Sequence, residues 1–340
     1  MTALPATSDD SAFWQLWLTP YSLPCITAAD EVGTFAALSA EPLSTDALAK
    51  QLGVDARAMA IHLALLGALG MVEQREGRWR ATPLARTWMH PEAEGYYGPM
   101  LFGFRDSMPL HKAMIETLRT GKKGSEHINF VEEWERGELP LEAARNIAAF
   151  MHSHSVASSK AVARLPVFGE VESLLDVGGG SGIFSIEMAR AHPQLKTTIL
   201  EIETMGTAAQ AYIDKAALGA QVSTIAVDMF RQDWPKGYEA HFFSNIFHDW
   251  SDKTCRLLAD KSFAALPPGG RIMLHEILMN DDGTGDLVPA AFSMLMLLGT
   301  RGKQFSLPEL RVFLEGAGFV DIQSERTGGG WYSLVTARKP

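Results

Sequence analysis

The chain has 340 residues, of which 46% are apolar and 21% are charged, and its formal net charge at pH 7 is −10. This length allows two or three domains with full cores, and the acidic balance argues against nucleic acid as a partner, because DNA and RNA binding draws most of its affinity from Lys and Arg at phosphates. No apolar run is long enough to cross a bilayer and the start of the chain lacks a secretory signal, so we expect a cytoplasmic protein that acts on a small molecule, without a membrane partner.

Residues 1–95 are predicted to form a helical module that closes with a small hairpin around Gly77. The stretch "STDALAKQLGV" opens on a capping residue, and "DARAMAIHLALLGALGMV" has apolar residues at helical spacing. This order of elements is typical of a winged helix. The helix that would read DNA offers only Arg57 and His62 among apolar residues, which suits base recognition poorly. We expect the module to pack against a partner subunit.

Residues 96–166 are predicted to form a second helical zone, with turn signals at "TGKKGSE" and "RGELP" and methionines at positions 100, 108, 114 and 151. Methionine-rich helices mostly fill cores, but flexible thioethers can also wall an adaptable apolar pocket. The zone is therefore interpreted as a connecting and substrate-lining segment.

Residues 167–340 change in character, because short β-branched or apolar runs alternate with helical stretches at spacings suited to βαβ units. The runs are "SLLDV", "KTTILEI", "VSTIAV", "AHFFSNIF" and "RIMLHEIL". This alternation predicts an α/β fold with a parallel sheet covered on both faces. In such sheets the ligand crevice lies beyond the carboxyl ends of the strands, at the point where the strand order reverses.

The stretch "LLDVGGGSGIF" places a glycine-rich loop between the first of these strands and a helix. Glycine allows the backbone to approach a ligand closely, yet neither the dinucleotide pattern GxGxxG nor the phosphate-binding pattern GxxxxGK[ST] is present. A bulky nucleoside without a phosphate chain remains. Glu201 ends the next predicted strand, about 20 residues after the glycines, where it can accept hydrogen bonds from ribose hydroxyls; the alternative is a solvated acid at a strand end.

Nearly the whole chain resembles the two-domain small-molecule O-methyltransferases among the class I S-adenosylmethionine-dependent methyltransferases. Plant caffeate and isoflavone enzymes typify the family, with bacterial relatives acting on polyketides, phenazines or hydroxylated carotenoids. The segment "LLDVGGGSG" matches the family's cofactor loop, "VDMF" its adenine-contacting segment, "FHDWSD" its catalytic segment and "LPPGGRIMLHEIL" the strand that follows. The resemblance implies a Rossmann-like, seven-stranded, mostly parallel sheet, and an N-terminal winged-helix-like domain that forms homodimers.

The resemblance also implies S-adenosyl-L-methionine as cofactor and S-adenosyl-L-homocysteine as product. By this resemblance Asp228 and Met229 lie against the adenine, and Trp250 lies near the same end of the cofactor. Ser244 takes a cofactor-contacting position that is lysine in the plant enzymes. The expected cofactor-binding residues are Asp176, Gly178, Gly179, Gly180, Gly182, Glu201, Asp228, Met229, Ser244 and Trp250.

His248, in "NIFHDWSDK", follows a predicted buried strand beside the cofactor crevice. A neutral hydroxyl is a weak nucleophile unless a base removes its proton, and an imidazole of pKa about 6.5 is suited to a phenol of pKa about 10. His248 also stands where the family's base stands. It is therefore the candidate general base.

A base must be held in one tautomer and orientation, usually by a carboxylate. Glu276 matches the family's orienting glutamate, and it lies on the next predicted strand, about 4.8 Å from its neighbour. Gln304 occupies the position of a second glutamate in the plant enzymes and can form hydrogen bonds without adding charge. Asp249 points elsewhere because it is adjacent to His248, so we expect it to make structural or cofactor contacts.

Histidine and cysteine patterns do not indicate a metal. His152 and His154 lie in a predicted helix, where positions i and i+2 point apart. Cys25 and Cys255 are far apart in sequence and lack CxxC spacing, so we expect buried packing residues and neither a disulfide nor a zinc site. Two further histidines, interpreted as structural, are His241 and His275.

The acceptor pocket is expected to be apolar, because aromatic and methionine side chains suit a flat, aromatic or polyketide-like molecule. Such residues also fill ordinary cores. The candidates are Phe102, Phe104, Met108, Met151, His154, Met294 and Leu298.

These residues together predict an O-methyltransferase that acts on a hydroxyl of a small metabolite. Alternatives that stay open are methylation of carbon or nitrogen in the same fold, a ligand-sensing regulator that binds DNA through the winged helix, and cofactor binding without methyl transfer.

Overall fold

The computed structural model describes residues 9–105, 107–122, 134, 136–137, 139–328 and 330–340. These residues form two compact units. The sheet unit contains the described residues of Met1–Ser11, Phe130–Leu278 and Leu307–Pro340, and the helical unit contains those of Ala12–Asn129 and Met279–Ser306. This division differs from boundaries at residues 95 and 166, since the helical unit extends to residue 129 and includes a distant C-terminal segment.

The described residues from 9 to 120 are mostly helical, and the predicted hairpin at Gly77 is confirmed. Ser44 is the predicted cap, because its side chain accepts a hydrogen bond from the amide of Ala47. Gly77 has φ +73° between two antiparallel strands. The elements are α1 (Ser11–Leu18), α2 (Ser22–Glu31), α3 (Thr34–Ala40), α4 (Thr45–Leu52), α5 (Ala56–Ala68), β1 (Val72–Arg75), β2 (Arg78–Ala81), α6 (Pro83–Trp88), α7 (Gly98–Arg105) and α8 (Pro109–Thr120).

From residue 141 onward strands and helices alternate, and all five predicted strands are confirmed as β3 to β7. The elements are α9 (Leu141–Val162), β3 (Ser173–Val177), α10 (Ile183–Ala191), β4 (Lys196–Glu201), α11 (Glu203–Ala216), β5 (Val222–Ala226), β6 (Ala240–Ser244), α12 (Asp252–Ala265), β7 (Arg271–Ile277), α13 (Leu287–Gly299), α14 (Leu307–Ala317), β8 (Val320–Arg326) and β9 (Tyr332–Arg338).

The sheet has seven strands in the order β5-β4-β3-β6-β7-β9-β8. All neighbours are parallel except at β9, which runs antiparallel to both β7 and β8. The chain builds outward from β3 through β4 to β5 and then returns to place β6 on the other side of β3. This reversal leaves a crevice at the carboxyl ends of β3 and β6, which is where open α/β sheets bind ligands.

A buried apolar layer holds β3 and β6 against the helices beside them. Leu174, Phe184, Phe242 and Met273 are at most 5% exposed and belong to one core cluster with Phe168. The rings of Phe168 and Phe242 meet edge to face, 5.8 Å apart. Such close packing keeps the carboxyl ends of the strands rigid, so that they can position side chains that bind or react.

In the helical unit, α13 packs against α5, and every residue of α13 after Leu287 is buried. This apolar burial explains why residues 279–306 group with the N-terminal helices. The polar side chains of α5 are used internally, since Arg57 donates to the carbonyl oxygens of Arg301 (2.9 Å) and Gly302 (2.5 Å).

The expectation of two buried, unpaired cysteines is confirmed. Cys25 lies beside α5, where its carbonyl oxygen is 2.9 Å from Nε2 of His62, and burial lowers the pKa of His62 to about 4. None of the helices in the described ranges combines the length and apolar character that spanning a bilayer requires.

Candidate active site

The glycine loop after β3 is packed too tightly for side chains. Gly178 has φ +70°, and a Cβ atom there would lie 2.5 Å from Cδ1 of Ile246. A Cβ atom on Gly179 would lie 2.7 Å from the carboxylate of Asp176. Gly182 also has a positive φ, +75°, and is the N-cap of α10. The loop therefore requires glycine for close approach and for backbone conformation.

Two acids support this loop from below. Oδ2 of Asp176 accepts a hydrogen bond from the Ser185 hydroxyl (2.7 Å), and Oδ1 has no hydrogen-bond partner within the described part of the chain. Glu201, at the end of β4, accepts from the amides of Gly180 (3.1 Å) and Ile202 (3.0 Å). Burial raises the pKa of each acid to about 7. Each bonded carboxylate oxygen keeps a further lone pair that can accept from a ligand hydroxyl.

A pocket opens above the loop, with about 530 Å³ of empty space that includes open solvent. It brings together five of the residues predicted to bind the cofactor, which are Gly178, Glu201, Asp228, Met229 and Trp250. Met151, predicted on the acceptor side, lines this same pocket. Met151 passes close to the loop here, since a Cβ atom on Gly180 would be in ordinary van der Waals contact with its Sδ, at 3.4 Å.

One end of the pocket is aromatic. The rings of Phe230 and Trp250 meet edge to face at 4.8 Å, and Trp250 is only 2% exposed. Asp228 shapes this end, because its Oδ1 accepts from the amides of Phe230 (2.8 Å) and Arg231 (3.1 Å). Nε1 of Trp250 makes no hydrogen bond to the described residues. Apolar ring surface with an unused donor suits a purine base, so the pocket fits a nucleoside.

His248 lies on a short 3₁₀ turn, Phe247–Asp249, directly after β6, and it is 4% exposed. Its Nδ1 atom is 3.4 Å from Oε2 of Glu276, and its Nε2 atom is 3.7 Å from Oδ1 of Asp249. The other oxygen of Glu276 accepts from the amides of Ile246 (3.1 Å) and Phe247 (3.0 Å). Glu276 therefore contacts the imidazole and also holds the turn that carries it.

The surroundings of Glu276 and Asp249 favour the protonated forms of these two carboxyl groups. Burial and the negative charge of Asp249 raise the pKa of Glu276 to about 8, and burial raises the pKa of Asp249 to about 7. A positive charge on the His248 ring would relieve the repulsion between these two carboxylates. Keeping a proton in this cluster therefore avoids two adjacent buried negative charges.

Other predicted residues of the sheet unit make local contacts. The Ser244 hydroxyl shares a 2.9 Å hydrogen bond with Nδ1 of His275 and is not among the pocket-lining residues, so its cofactor role stays a prediction. The ring of His154 meets that of Phe150 at 5.1 Å, and burial lowers the pKa of His154 to about 4.

The remaining histidines make structural contacts. His241 shares a 2.9 Å hydrogen bond with Ser262, and His152 stacks on Tyr212 at 4.4 Å. In the described ranges no three His, Cys, Asp or Glu residues are grouped so that they could hold a metal ion.

The other candidates belong to the helical unit, and their roles stay predictions. Met294 and Leu298 lie in α13 and are fully buried. Gln304 is also buried, and its backbone amide donates to the Ser293 hydroxyl (3.3 Å). Phe102 is 48% exposed, with the Arg105 guanidinium 4.5 Å from its ring centre. Two further candidates are Met108, half-buried at the N-cap of α8, and Phe104, whose side chain is outside the described part of the chain.

Several pocket residues were not predicted. The expectation that Asp249 points away from His248 is wrong, because its Oδ1 lies 3.7 Å from Nε2 of that ring, and the residue also lines the pocket. Phe230 ends the "VDMF" segment and Ile246 stands two residues before His248, so both could have been found from their place in a motif. Trp134 also lines the pocket, but no pattern around it indicates a site.

Comparison with known proteins agrees with this geometry. Residues 130–320 match the model of the O-methyltransferase domain, and residues 14–91 match that of the O-methyltransferase dimerisation domain. The chain is 31% identical, over 92% of its length and 88% of the relative's, to 3-hydroxy-5-methyl-1-naphthoate 3-O-methyltransferase of Streptomyces sahachiroi. It is 26% identical, over 96% of both chains, to the tetracenomycin polyketide synthesis 8-O-methyl transferase TcmO of Streptomyces glaucescens.

The fold is shared with an O-methyltransferase family 2 protein of Planctomyces limnophilus solved with apigenin, at a TM-score of 0.84, 24% identity, and coverage of 99% and 98% of the two chains. Solved structures of the same fold include complexes with S-adenosylmethionine. The nucleoside pocket, the glycine loop and both family matches lead to one conclusion: the chain belongs to the O-methyltransferase family, as an S-adenosylmethionine-dependent enzyme with a dimerisation domain.

Proposed function

We propose that the enzyme transfers a methyl group to a hydroxyl of an aromatic or polyketide-like metabolite, with His248 as the general base. The observation that carries this proposal is the buried imidazole, 3.4 Å from Glu276, on a turn whose next residue, Asp249, lines the nucleoside pocket. When bound, S-adenosylmethionine supplies an electrophilic methyl group on a sulfonium. Gly178, Glu201 and Trp250 are the residues that would hold it.

His248 takes the hydroxyl proton as the oxygen becomes nucleophilic. Because Nδ1 faces Glu276, a hydrogen on Nδ1 leaves the lone pair of Nε2 to accept the proton. The positive charge that forms on the ring favours the ionised forms of Glu276 (3.4 Å) and Asp249 (3.7 Å), and these carboxylates then stabilise the imidazolium. The two backbone amides bound to Glu276 keep the turn from moving, so little rearrangement is needed at the moment of transfer.

An aromatic acceptor is supported by the chemistry of the relatives. The most similar relative described above methylates a hydroxynaphthoate and the second a polyketide. A hydroxyl on such a ring resembles a phenol, whose pKa of about 10 lies within reach of an imidazole base.

We also propose that the enzyme is a homodimer formed through the helical unit. In α1 the side chains of Phe13 and Leu16 are 76% and 69% exposed, beside the partly exposed Trp17. Trp14, on the same helix, is buried against the rings of Trp17 (5.2 Å) and Phe292 (5.3 Å). One face of α1 thus packs within the unit and the other leaves a large apolar surface, which is typical of an interface. This helix overlaps the match to the dimerisation domain at residues 14–91.

The test combines substrate, product and variant. Purified enzyme is incubated with S-adenosylmethionine and a panel of hydroxylated naphthoates and polycyclic aromatics, and the product is analysed by mass spectrometry and NMR. We expect a gain of one methyl on oxygen, and a His248→Gln variant whose kcat is about 10²-fold lower with unchanged affinity for S-adenosylhomocysteine. His90→Gln, whose ring accepts from the Glu92 amide, is the matched control. Methyl on carbon or nitrogen, or full turnover by His248→Gln, would overturn the proposal.

A further inference from the structure

We propose that Asn245 and Tyr332 are positioning residues for His248, acting through the segment that joins β6 to the catalytic turn. The inference rests on the proposed role of His248 as base. It begins from the backbone of Asn245, which has φ +56°, a left-handed conformation that Asn tolerates better than most other residues with a side chain.

Every amide of this segment is bonded to a strand beside β6. The Asn245 amide donates to the carbonyl of His275 (3.1 Å), and the next two amides donate to the Glu276 carboxylate. The side chain of Asn245 adds one more anchor, because its Nδ2 donates to the Tyr332 hydroxyl on β9 (3.0 Å). The direction in which the chain enters the turn is therefore set by residues of β7 and β9.

The two side-chain anchors lie on opposite faces of the sheet. In the β7·β9 ladder Tyr332 pairs with Ile277, and Ser333 pairs with Glu276. Neighbouring residues of a strand point to opposite faces, so Tyr332 lies on the face of Ile277 and His275, opposite Glu276. The Tyr332 ring indeed stacks on that of His275, with centres 4.5 Å apart and planes 12° apart. The segment is thus held by Glu276 from one face and by Tyr332 from the other.

Tyr332 is held in place by its surroundings, and its hydroxyl matters to the Asn245 side chain. Tyr332 is 1% exposed, and the ring beneath it is fixed by the hydrogen bond between His275 and Ser244. The Oδ1 atom of Asn245 has no hydrogen-bond partner among the described residues. Loss of the Tyr332 hydroxyl would remove the partner of Nδ2 as well, which favours a different conformation of this half-buried side chain and its segment. A shift of about 1 Å in the base is enough to slow a reaction about 10²-fold.

The experiment compares Tyr332→Phe, which removes only the hydroxyl, with Asn245→Gly, which keeps access to positive φ but removes the amide. Tyr212→Phe is the matched control, since Tyr212 also stacks on a histidine, His152. We expect each single variant to lower kcat about tenfold, with affinity for S-adenosylhomocysteine within about twofold of the parent. The control should match the parent.

Two readouts separate positioning from general destabilisation. If both residues act through one hydrogen bond, the double variant is no slower than the slower single variant. The acidic limb of the pH profile of kcat should also move to lower pH, because a base that has lost contact with Glu276 is less easily protonated. The proposal would be overturned if both single variants kept the kcat and the acidic limb of the parent. It would also be overturned if the loss of kcat in the double variant were the product of the two single losses.

Crystal structures of the variants make the outcome independent of catalysis. We expect the distance between Nδ1 of His248 and Oε2 of Glu276 to lengthen from 3.4 Å; an unchanged distance in both variants would overturn positioning. If His248→Gln retains turnover, the proposed base is wrong, and the crystallographic distance still decides whether Asn245 and Tyr332 position His248.

Discussion

Glu276 contacts the ring of His248 and also the backbone of the segment that carries this ring. Its Oε2 atom is 3.4 Å from Nδ1 of the imidazole, and its Oε1 atom accepts from the amides of Ile246 and Phe247. A single buried carboxylate therefore lies beside the imidazole of the proposed base and also holds the turn that carries it.

Substituting Glu276 by Gln and by Ala separates these two effects. Gln retains an oxygen that can accept from both amides but removes the charge, so we expect kcat to fall about 10-fold to 10²-fold with little change in melting temperature. Ala leaves the amides without an acceptor, so we expect a loss of stability of about 1–3 kcal/mol for each amide left unsatisfied. Steady-state kinetics and thermal unfolding measure the two effects. A Glu276→Gln enzyme with parent kcat would contradict the electrostatic role.

Stability should fall as the pH rises above neutrality. Asp249 and Glu276 have pKa values of about 7 and 8 in the folded protein, against 3.8 and 4.5 as ordinary values. At these two carboxyls the folded protein binds more protons than the unfolded chain between about pH 4 and 8, so their contribution to the free energy of unfolding decreases with rising pH. The buried histidines act the other way, since they are neutral when folded and their cost vanishes above about pH 6.5. Those with pKa values lowered to about 3 or 4 are His62, His154, His241 and His275.

We therefore expect a stability maximum near neutral pH and a melting temperature about 5 °C lower at pH 8.5 than at pH 6.5. Asp249→Asn removes one of the titrating carboxyls, so the melting temperature of this variant should decline less over this pH range than that of the parent. Calorimetry without ligand checks both. An identical alkaline decline in Asp249→Asn would show that this carboxyl does not cause it.

Substitution in the glycine loop should weaken cofactor binding. In Gly179→Ala the new methyl would lie 2.7 Å from the Asp176 carboxylate, which is held in place by Ser185. The loop must then shift, and we expect the affinity for S-adenosylhomocysteine to fall about tenfold to hundredfold, by titration calorimetry. Gly219→Ala is the matched control, because no atom lies within 4 Å of its added Cβ and its φ is not positive. Equal affinities of the two variants would contradict this account of the loop.

The exposed face of α1 provides a test of the homodimer. Replacing both Phe13 and Leu16 with Glu puts charge into the proposed interface, and we expect the molar mass in light scattering to change from that of a dimer to that of a monomer. Leu257→Glu, which alters an exposed leucine of α12, should leave the mass unchanged. A monomeric parent enzyme, or a double variant that stays dimeric, would show that this face is not the interface.

The five parallel strands β3 to β7, the hairpin and the cofactor loop could be predicted because each has a recognisable local sequence pattern. Runs such as "SLLDV" and "RIMLHEIL" are confirmed as β3 and β7, and the glycines after β3 do form a turn that excludes side chains. The contact between His248 and Glu276 could also be predicted, because one residue follows β6 and the other lies on β7, its parallel neighbour.

Contacts between distant segments could not be predicted in this way. Nothing in "LVPAAFSMLMLLG" tells that α13 packs with the N-terminal helices, since its apolar residues would suit any core. Met151 was expected on the acceptor side, and its place in the nucleoside pocket depends on how α9 passes the glycine loop.

The sequence by itself determined the α/β class, the candidate nucleoside site and the candidate for the base, because strand periodicity, glycine geometry and imidazole chemistry are properties of short segments. Only the tertiary structure decided what holds that base in place. The partner of Asn245 is Tyr332, 87 residues later, and the two meet because β9 inserts antiparallel between β7 and β8. Strand order is set by packing over the whole chain, so a contact that depends on it leaves no trace in the residues on either side.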